Sequence, residues 1–350
     1  MQAETLNIQK FDIATAGDKQ WDDYTTLARL YFEERKPGEP LPPEEHIRKE
    51  IEVENQSERN QIDAWLVYDD AGEEAIAYSQ VFRLAPPADD YESKKHVAHY
   101  FIYVKKDHRR KGIGRQLLQT IATDLQADNR TIMESWVAVD DGNAFMEAQG
   151  AKIVLQMQTN RLYLSDVDWE MVELWAQEGQ ERNPDTELFL SGDLPSDEDL
   201  QNYVDLIMDI FAQMPKEDAS GFPEIISVEE EKERHERVQK QGYTILTAFT
   251  REKDGTISAM TDADFSDAMP HLVFQGLTGV HVEQRGRGLG KWLKAAMLLK
   301  IRENYPDAQY IDTNNANVNA PMLHINDILG FKFYKQNRTY ALQVEDVLNS

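Results

Sequence analysis

The stretch GVHVEQRGRGLGKWLK, Gly279 to Lys294, sets Gly286, Gly288 and Gly290 at alternate positions among Arg285, Arg287 and Lys291. Bare backbone leading into a helix presents unpaired amides, and the positive end of the helix dipole points the same way. The chemistry to expect is the holding of an anion, with no Cβ atoms to keep a phosphate away. A second stretch, FIYVKKDHRRKGIGR, repeats the signal with Arg109, Arg110, Lys111, Gly112, Ile113, Gly114 and Arg115.

Two phosphate motifs do not fit. A P-loop needs G-x-x-x-x-G-K-[ST], but Gly286 to Gly290 is one residue short and Lys291 is followed by Trp292. A dinucleotide fingerprint needs a third glycine three after the second. That position is Lys291, and the first stretch has only Gly112 and Gly114, although Asp312 stands at a fitting distance downstream.

Groups that could move protons are sparser. Asp262 and Asp264 in TDADF are two apart, hence on one face of a predicted strand, and read either as a general base or as a solvated pair near a turn. Asp262, Asp264 and Asp267 lack the glycine and glutamate of a calcium loop. Glu134 is the comparable carboxylate in the first half. Thr278 and Gln275 lie on a predicted strand, facing a cleft or packing in the ladder, and His324 lies on a short helix. His96 and His99, three apart on a strand, point to opposite faces. With no H-E-x-x-H and no cysteine, no metal site, disulfide or thiolate nucleophile is expected.

The elements that must position these groups are written twice. Residues 101–125 lie on residues 277–301 with Arg109 on Arg285, Gly112 on Gly288 and Gly114 on Gly290. In each copy a β-rich run precedes the glycines and an amphipathic pattern follows: Ile113, Leu117, Ile121 and Leu125, or Leu289, Trp292, Leu293, Ala296, Met297 and Ile301. Hairpins with polar, glycine-containing turns precede both, at Ile62 to Leu84 and Tyr243 to Phe265. The chain of 350 residues therefore divides into domains at 1–165 and 185–350, joined by a linker helix over 166–184.

Composition limits the partners. Sixty-three acidic residues against 37 basic give a net charge of −26, which disfavours nucleic acid and would gather cationic small molecules, or simply keep the chain in solution. The start lacks the regions of a signal peptide and no run reaches the ~18 apolar residues of a membrane span. A soluble cytoplasmic protein, monomer or homodimer, is expected.

The spacing [QR]-x-x-G-x-[GA], met as Arg109-x-x-Gly112-x-Gly114 and Arg285-x-x-Gly288-x-Gly290, resembles the coenzyme A pyrophosphate loop of the GNAT N-acetyltransferase superfamily. TNNANVNAPMLHINDILGFKFY resembles its last motif, with Asn319 as the asparagine and Gly330-Phe331 as the ending. In the first half Gly150-Ala151 takes the ending and Val139 the asparagine position. Tandem members such as mycothiol synthase-like proteins share the architecture.

The resemblance implies an α/β (α+β) class with two tandem GNAT folds. Each would be a mixed, mostly antiparallel twisted sheet flanked by helices and splayed between its fourth and fifth strands. It implies that Val104, or Val280 with His281 and Val282, offers main chain to pantetheine, while the loops Arg109 to Arg115 and Arg285 to Lys291, including Leu289, hold pyrophosphate. The implied function is acetyl-coenzyme A-dependent N-acetylation of a small-molecule amine, without metal. The second half matches more completely, so it is the expected catalytic half, and the first a structural partner or a second binder. The family's usual proton-donating tyrosine falls at Asn326 and Met146. Asn326 can donate a hydrogen bond but is no general acid, which leaves Tyr334, Tyr310 or solvent as proton source. Asp262 and Thr278 complete the catalytic candidates. A non-catalytic acyl-coenzyme A sensor and an aminoacyl or long-chain acyl transferase remain as alternatives.

Overall fold

The computed structural model describes residues 6–214, 216–316 and 320–350. They fall into two compact units, Met1–Leu155 with Glu217–Ser220 and Asn337–Ser350, and Gln156–Lys216 with Gly221–Gln336.

Unit 1 runs β1 (Asn7–Phe11), α1 (Asp18–Arg35), α2 (Glu44–Asn55), β2 (Asn60–Tyr68), β3 (Ala75–Leu84), a turn of helix α3 (Tyr91–Lys94), β4 (Val97–Val104), α4 (Ile113–Ala127), β5 (Ile132–Val137) and α5 (Asp140–Ala148). Strands β1 to β4 pair antiparallel in sequence order. β4 then pairs parallel with β5 over three rungs only, Val97↔Ile132, Ala98↔Met133 and His99↔Glu134. Beyond His99, β4 continues along β3 to Val104 with its other edge unpaired by β5. That is the expected splay.

The chain continues with β6 (Lys152–Tyr163), α6 (Trp169–Arg182), β7 (Glu187–Ser191), α7 (Asp197–Gln213), α8 (Val228–Gln241), β8 (Tyr243–Arg251), β9 (Ile257–Ser266), β10 (Leu272–Val280), α9 (Leu289–Asn304), β11 (Tyr310–Ala316), α10 (Ala320–Leu329), β12 (Lys332–Gln343) and α11 (Val344–Leu348). In unit 2, β7 to β10 are antiparallel and β10 pairs parallel with β11 from Leu272↔Tyr310 to Gln275↔Thr313. Its β9–β10 ladder is interrupted between Gln275 and Thr278, whereas the β3–β4 ladder is regular.

The boundaries depart from a simple head-to-tail division. Met157–Tyr163 of β6 closes the sheet of unit 2 by pairing with β11, and Arg338–Gln343 of β12 closes that of unit 1 by pairing with β5. Local alternation fixes which face of a strand is buried but not which copy of a repeated partner it joins. Residues 166–184 are not a free linker either. Helix α6 packs on α9 within unit 2, and Gly179 lies where any Cβ would collide with the Trp292 ring.

Each sheet buries both faces, because apolar residues at i and i+4 of the covering helices meet apolar strand residues. In unit 1, Leu117, Leu118, Ile121 and Leu125 of α4 pack on Ala98, Tyr100 and Met133, and Trp21, Tyr24 and Leu27 of α1 cover Leu66, Tyr78 and Tyr103. In unit 2, Leu293, Met297 and Ile301 of α9 meet Ala259, Ala263 and Val273, while Tyr203, Ile207 and Ile210 of α7 meet Phe249 and Met260. No helix among the described residues is long and apolar enough to cross a membrane.

Candidate functional site

The two glycine loops share a backbone. Gly112 and Gly288 are the N-caps of α4 and α9, with φ of +87° and +84°, a left-handed conformation that glycine adopts without strain. Open space surrounds the position of a Cβ at both. The first helical hydrogen bonds run from Gln116 N to Gly112 O and from Trp292 N to Gly288 O, so the preceding amides are not taken by the helix. The leading arginines act alike too: Arg109 Nε donates to Val104 O at 2.9 Å and Arg285 Nε to Val280 O at 3.4 Å. Each ties the loop back to the strand it leaves.

The side chains then diverge. Arg109 is spent on Glu34 and Asp141, at 2.7 and 2.6 Å, but the exposed Arg110, Lys111 and Arg115 have no hydrogen bond or ion pair among the described residues. The cations expected at the second loop are instead engaged by neighbours. Arg287 donates to Asn183 Oδ1 (3.0 Å), Glu252 Oε1 (2.9 Å), Thr186 Oγ1 (2.7 Å) and Gln284, Lys291 Nζ lies 4.7 Å from the Trp175 ring centroid, and Arg285 bonds Gln213. His281 Nδ1 accepts from Glu283 N at 3.4 Å, and Val282 is exposed. Leu289 and Gly290 are buried, and Ile113 is buried in the other loop.

A cavity of about 410 Å³ follows the first loop, lined by Val104, Arg110, Gly112, Gly114 and Arg115, by Tyr31, Glu34 and Tyr103 on one side and by Val139, Gly142 and Phe145 on the other. The Tyr103 hydroxyl donates to Glu34 Oε1 at 2.8 Å. Met146, at the position of the missing tyrosine, is buried and accepts the Tyr100 hydroxyl on its sulfur at 3.3 Å. Burial holds that phenol protonated well above its usual range. Nothing in the local sequence ties Tyr100 to residue 146, because only the fold brings β4 beneath α5.

The remaining candidates separate. Asp262 and Asp264 lie inside β9 rather than near a turn, and both are half-buried. Burial first and Asp264 second push Asp262 up to about 7; burial pushes Asp264 up to about 6, with Arg234 opposing both. Thr278 is 2.7 Å from Thr261 Oγ1, which accepts from Gln275 Nε2 at 3.4 Å, and Gln275 Oε1 accepts from Lys294 Nζ at 2.7 Å. Lys294 is 1% exposed, and desolvation pushes it down to about 7. This buried lysine is a feature that sequence reasoning passed over, its only signal being a cation on the apolar face of α9.

Asn326 is buried. Its Nδ2 donates to Asn315 Oδ1 at 2.9 Å and its Oδ1 has no partner among the described residues. Asn319 lies outside the described residues. Tyr310 and Tyr334 are not proton donors held for a cleft. They sandwich the Arg161 guanidinium at 3.7 and 3.8 Å, and Arg161 grips both oxygens of Asp312 at 2.7 and 2.8 Å, which removes Asp312 as a ribose ligand. Glu134 is 2% exposed at the last parallel rung of unit 1.

Residues 21–150 match the model of the acetyltransferase (GNAT) family. No curated protein matches the chain. Among solved structures, a tandem GNAT protein from the clavulanic acid biosynthesis pathway superposes with a TM-score of 0.76 at 18% identity, covering 97% of this chain and 99% of that one. A GCN5-related N-acetyltransferase from Sphaerobacter thermophilus gives 0.61 at 14%, covering 97% and 96%. Saccharomyces cerevisiae N-myristoyltransferase gives 0.57 at 11%, covering 98% and 80%. At these identities the likeness is one of fold. Residues 21–150 thus form a domain that matches the acetyltransferase (GNAT) family model, and the whole has the fold of a tandem GNAT protein.

Proposed function

We propose that the protein is an acetyl-coenzyme A-dependent N-acetyltransferase acting on a small-molecule amine, with coenzyme A held in unit 1. The observation that carries this reading is the first loop. It combines helix-entry amides, a left-handed glycine with open space above it and two cations, Arg110 and Arg115, without a partner among the described residues, beside a cavity that reaches the unpaired edge of β4. Those features suit a pyrophosphate with its pantetheine arm laid along the strand edge. The acidic chain surface favours a cationic acceptor. Tyr100, kept protonated and hydrogen-bonded to Met146, is a proton donor beside the position that usually carries a tyrosine.

This reverses the expected assignment of the catalytic half. A second reading, in which unit 2 is a non-catalytic partner, is favoured by the commitments of Arg285, Arg287 and Lys291 within their own unit. Gly112→Glu sets a carboxylate on the anion site and strains a φ of +87°. Calorimetry with coenzyme A should then lose one site, with affinity falling at least about 100-fold. Unchanged affinity and stoichiometry would overturn the reading.

A further inference from the structure

We infer that His99 is a catalytic base of unit 1 and that Glu134, fixed by Ser220, is its positioning residue. The inference rests on the acetyltransferase reading and adds to it the group that deprotonates the acceptor amine.

The two side chains occupy the last rung before β4 and β5 part, His99↔Glu134. On β4, Ala98, Tyr100, Ile102 and Val104 pack toward α4, which leaves His99 on the opposite face with Phe101 and Tyr103. Glu134 is buried, and its Oε1 accepts from Ser220 N at 3.2 Å and Ser220 Oγ at 2.6 Å. The segment carrying Ser220 is itself pinned to unit 1 by Asp218 N donating to Val154 O at 3.0 Å. The other oxygen, Oε2, is buried without a hydrogen-bond partner among the described residues and faces His99 Nδ1 at 3.9 Å.

An orphaned carboxylate oxygen is costly unless a donor reaches it. A hydrogen on Nδ1 is the donor at hand, and that tautomer leaves the lone pair on Nε2. The ring is about half exposed, so Nε2 is the atom open to an outside partner. Burial lowers the imidazole pKa, Glu134 opposes the shift and Lys94 adds to it, which keeps the ring neutral and able to accept a proton near pH 7.

Unit 2 supplies a contrast at the corresponding third rung, Phe274↔Asp312. There the carboxylate is capped on both oxygens by Arg161 and faces a phenyl ring. The fold therefore does not need an imidazole at that rung, and an unpaired carboxylate oxygen there belongs to unit 1.

In the step proposed, His99 Nε2 takes one proton from R–NH3+. The freed nitrogen lone pair forms the C–N bond to the acetyl carbon, the C–S bond breaks and sulfur leaves with its electron pair. The second nitrogen proton ends on that sulfur, and the imidazolium returns its proton to solvent. One amide, one thiol and one proton result.

The test begins without turnover. In the 15N spectrum of the free protein, His99 should be the Nδ1–H tautomer, and Glu134→Gln or Ser220→Ala should shift the population toward Nε2–H. An Nε2–H tautomer in the unsubstituted protein overturns the proposal whether or not an acceptor is known. Acetyl-coenzyme A with an amine panel is the second arm. His99→Gln should lower kcat about 100-fold with a primary alkylamine while coenzyme A affinity by calorimetry stays within twofold. With a weakly basic acceptor already neutral at assay pH, the loss should shrink to a few-fold. Equal losses on both acceptors would make His99 structural. Absence of turnover with every amine refutes the acetyltransferase reading instead, and the tautomer measurement still decides the geometry.

Discussion

The loops that enter α4 and α9 have the same left-handed glycine, the same arginine tied back to its strand and nearly the same sequence, yet they offer an anion different surroundings. Arg110, Lys111 and Arg115 reach solvent uncommitted, whereas Arg287 is held by Glu252, Asn183 and Thr186 and Lys291 by Trp175. Spacing of glycines encodes backbone shape, and backbone shape survived in both copies. What a cation does depends on neighbours from elsewhere in the chain, here β8 and the end of α6, and those differ between copies. A duplicated motif is thus evidence for duplicated geometry and not for duplicated binding.

The comparison breaks first at the glycines. Gly112→Glu should remove coenzyme A binding at unit 1, while Gly288→Glu should leave that site's affinity unchanged. The reverse result in calorimetry would return the cofactor to unit 2. A smaller effect should separate the cations. Joint replacement of Arg110, Lys111 and Arg115 by Ala is expected to weaken coenzyme A about tenfold and to flatten the dependence on salt, since exposed charges are screened within a Debye length. Arg287→Ala should leave affinity alone and cost about 1–3 kcal/mol in urea unfolding, because its neutral and acidic partners lose their donor.

Much of the fold was legible because the period of apolar residues reports which face of an element is buried. Ile113, Leu117, Ile121 and Leu125 are all in the core of unit 1, and Leu289, Leu293, Met297 and Ile301 in that of unit 2. The closing strands were not, since β6 and β12 satisfy the same alternation beside either β5 or β11. Within the candidate site the glycine loops could be read from sequence, but His99, Tyr100 and Lys294 could not. Each draws its chemistry from a partner distant in sequence: Glu134 for His99, Met146 for Tyr100, and Gln275 for Lys294. The surroundings of Asp262 were not legible either, because a strand interior that desolvates a carboxylate looks, letter by letter, like a polar turn.

Lys294 gives the subtlest contrast between the units, because the repeat places Leu118 at its counterpart in α4, with both residues 1% exposed. Burial pushes the amine from 10.5 down to about 7. Between those values the unfolded chain holds a proton that the folded one has released, so this group makes stability rise with pH, by up to about 1.4 kcal/mol per unit. The rise begins near pH 7, ends near 10.5, and is absent below the folded value, where both states are protonated. Lys294→Met should flatten the slope and stabilise the protein most at pH 7 and below, where the ammonium is buried with Gln275 as its hydrogen-bond partner. Urea midpoints of the two proteins at pH 7.5 and 9.5 measure it, and the expected difference narrows by about 2 kcal/mol across that interval. Parallel curves would mean that the amine stays charged inside unit 2, so that Gln275 and its threonine neighbours, rather than deprotonation, reconcile this lysine with the core that accepts leucine in unit 1.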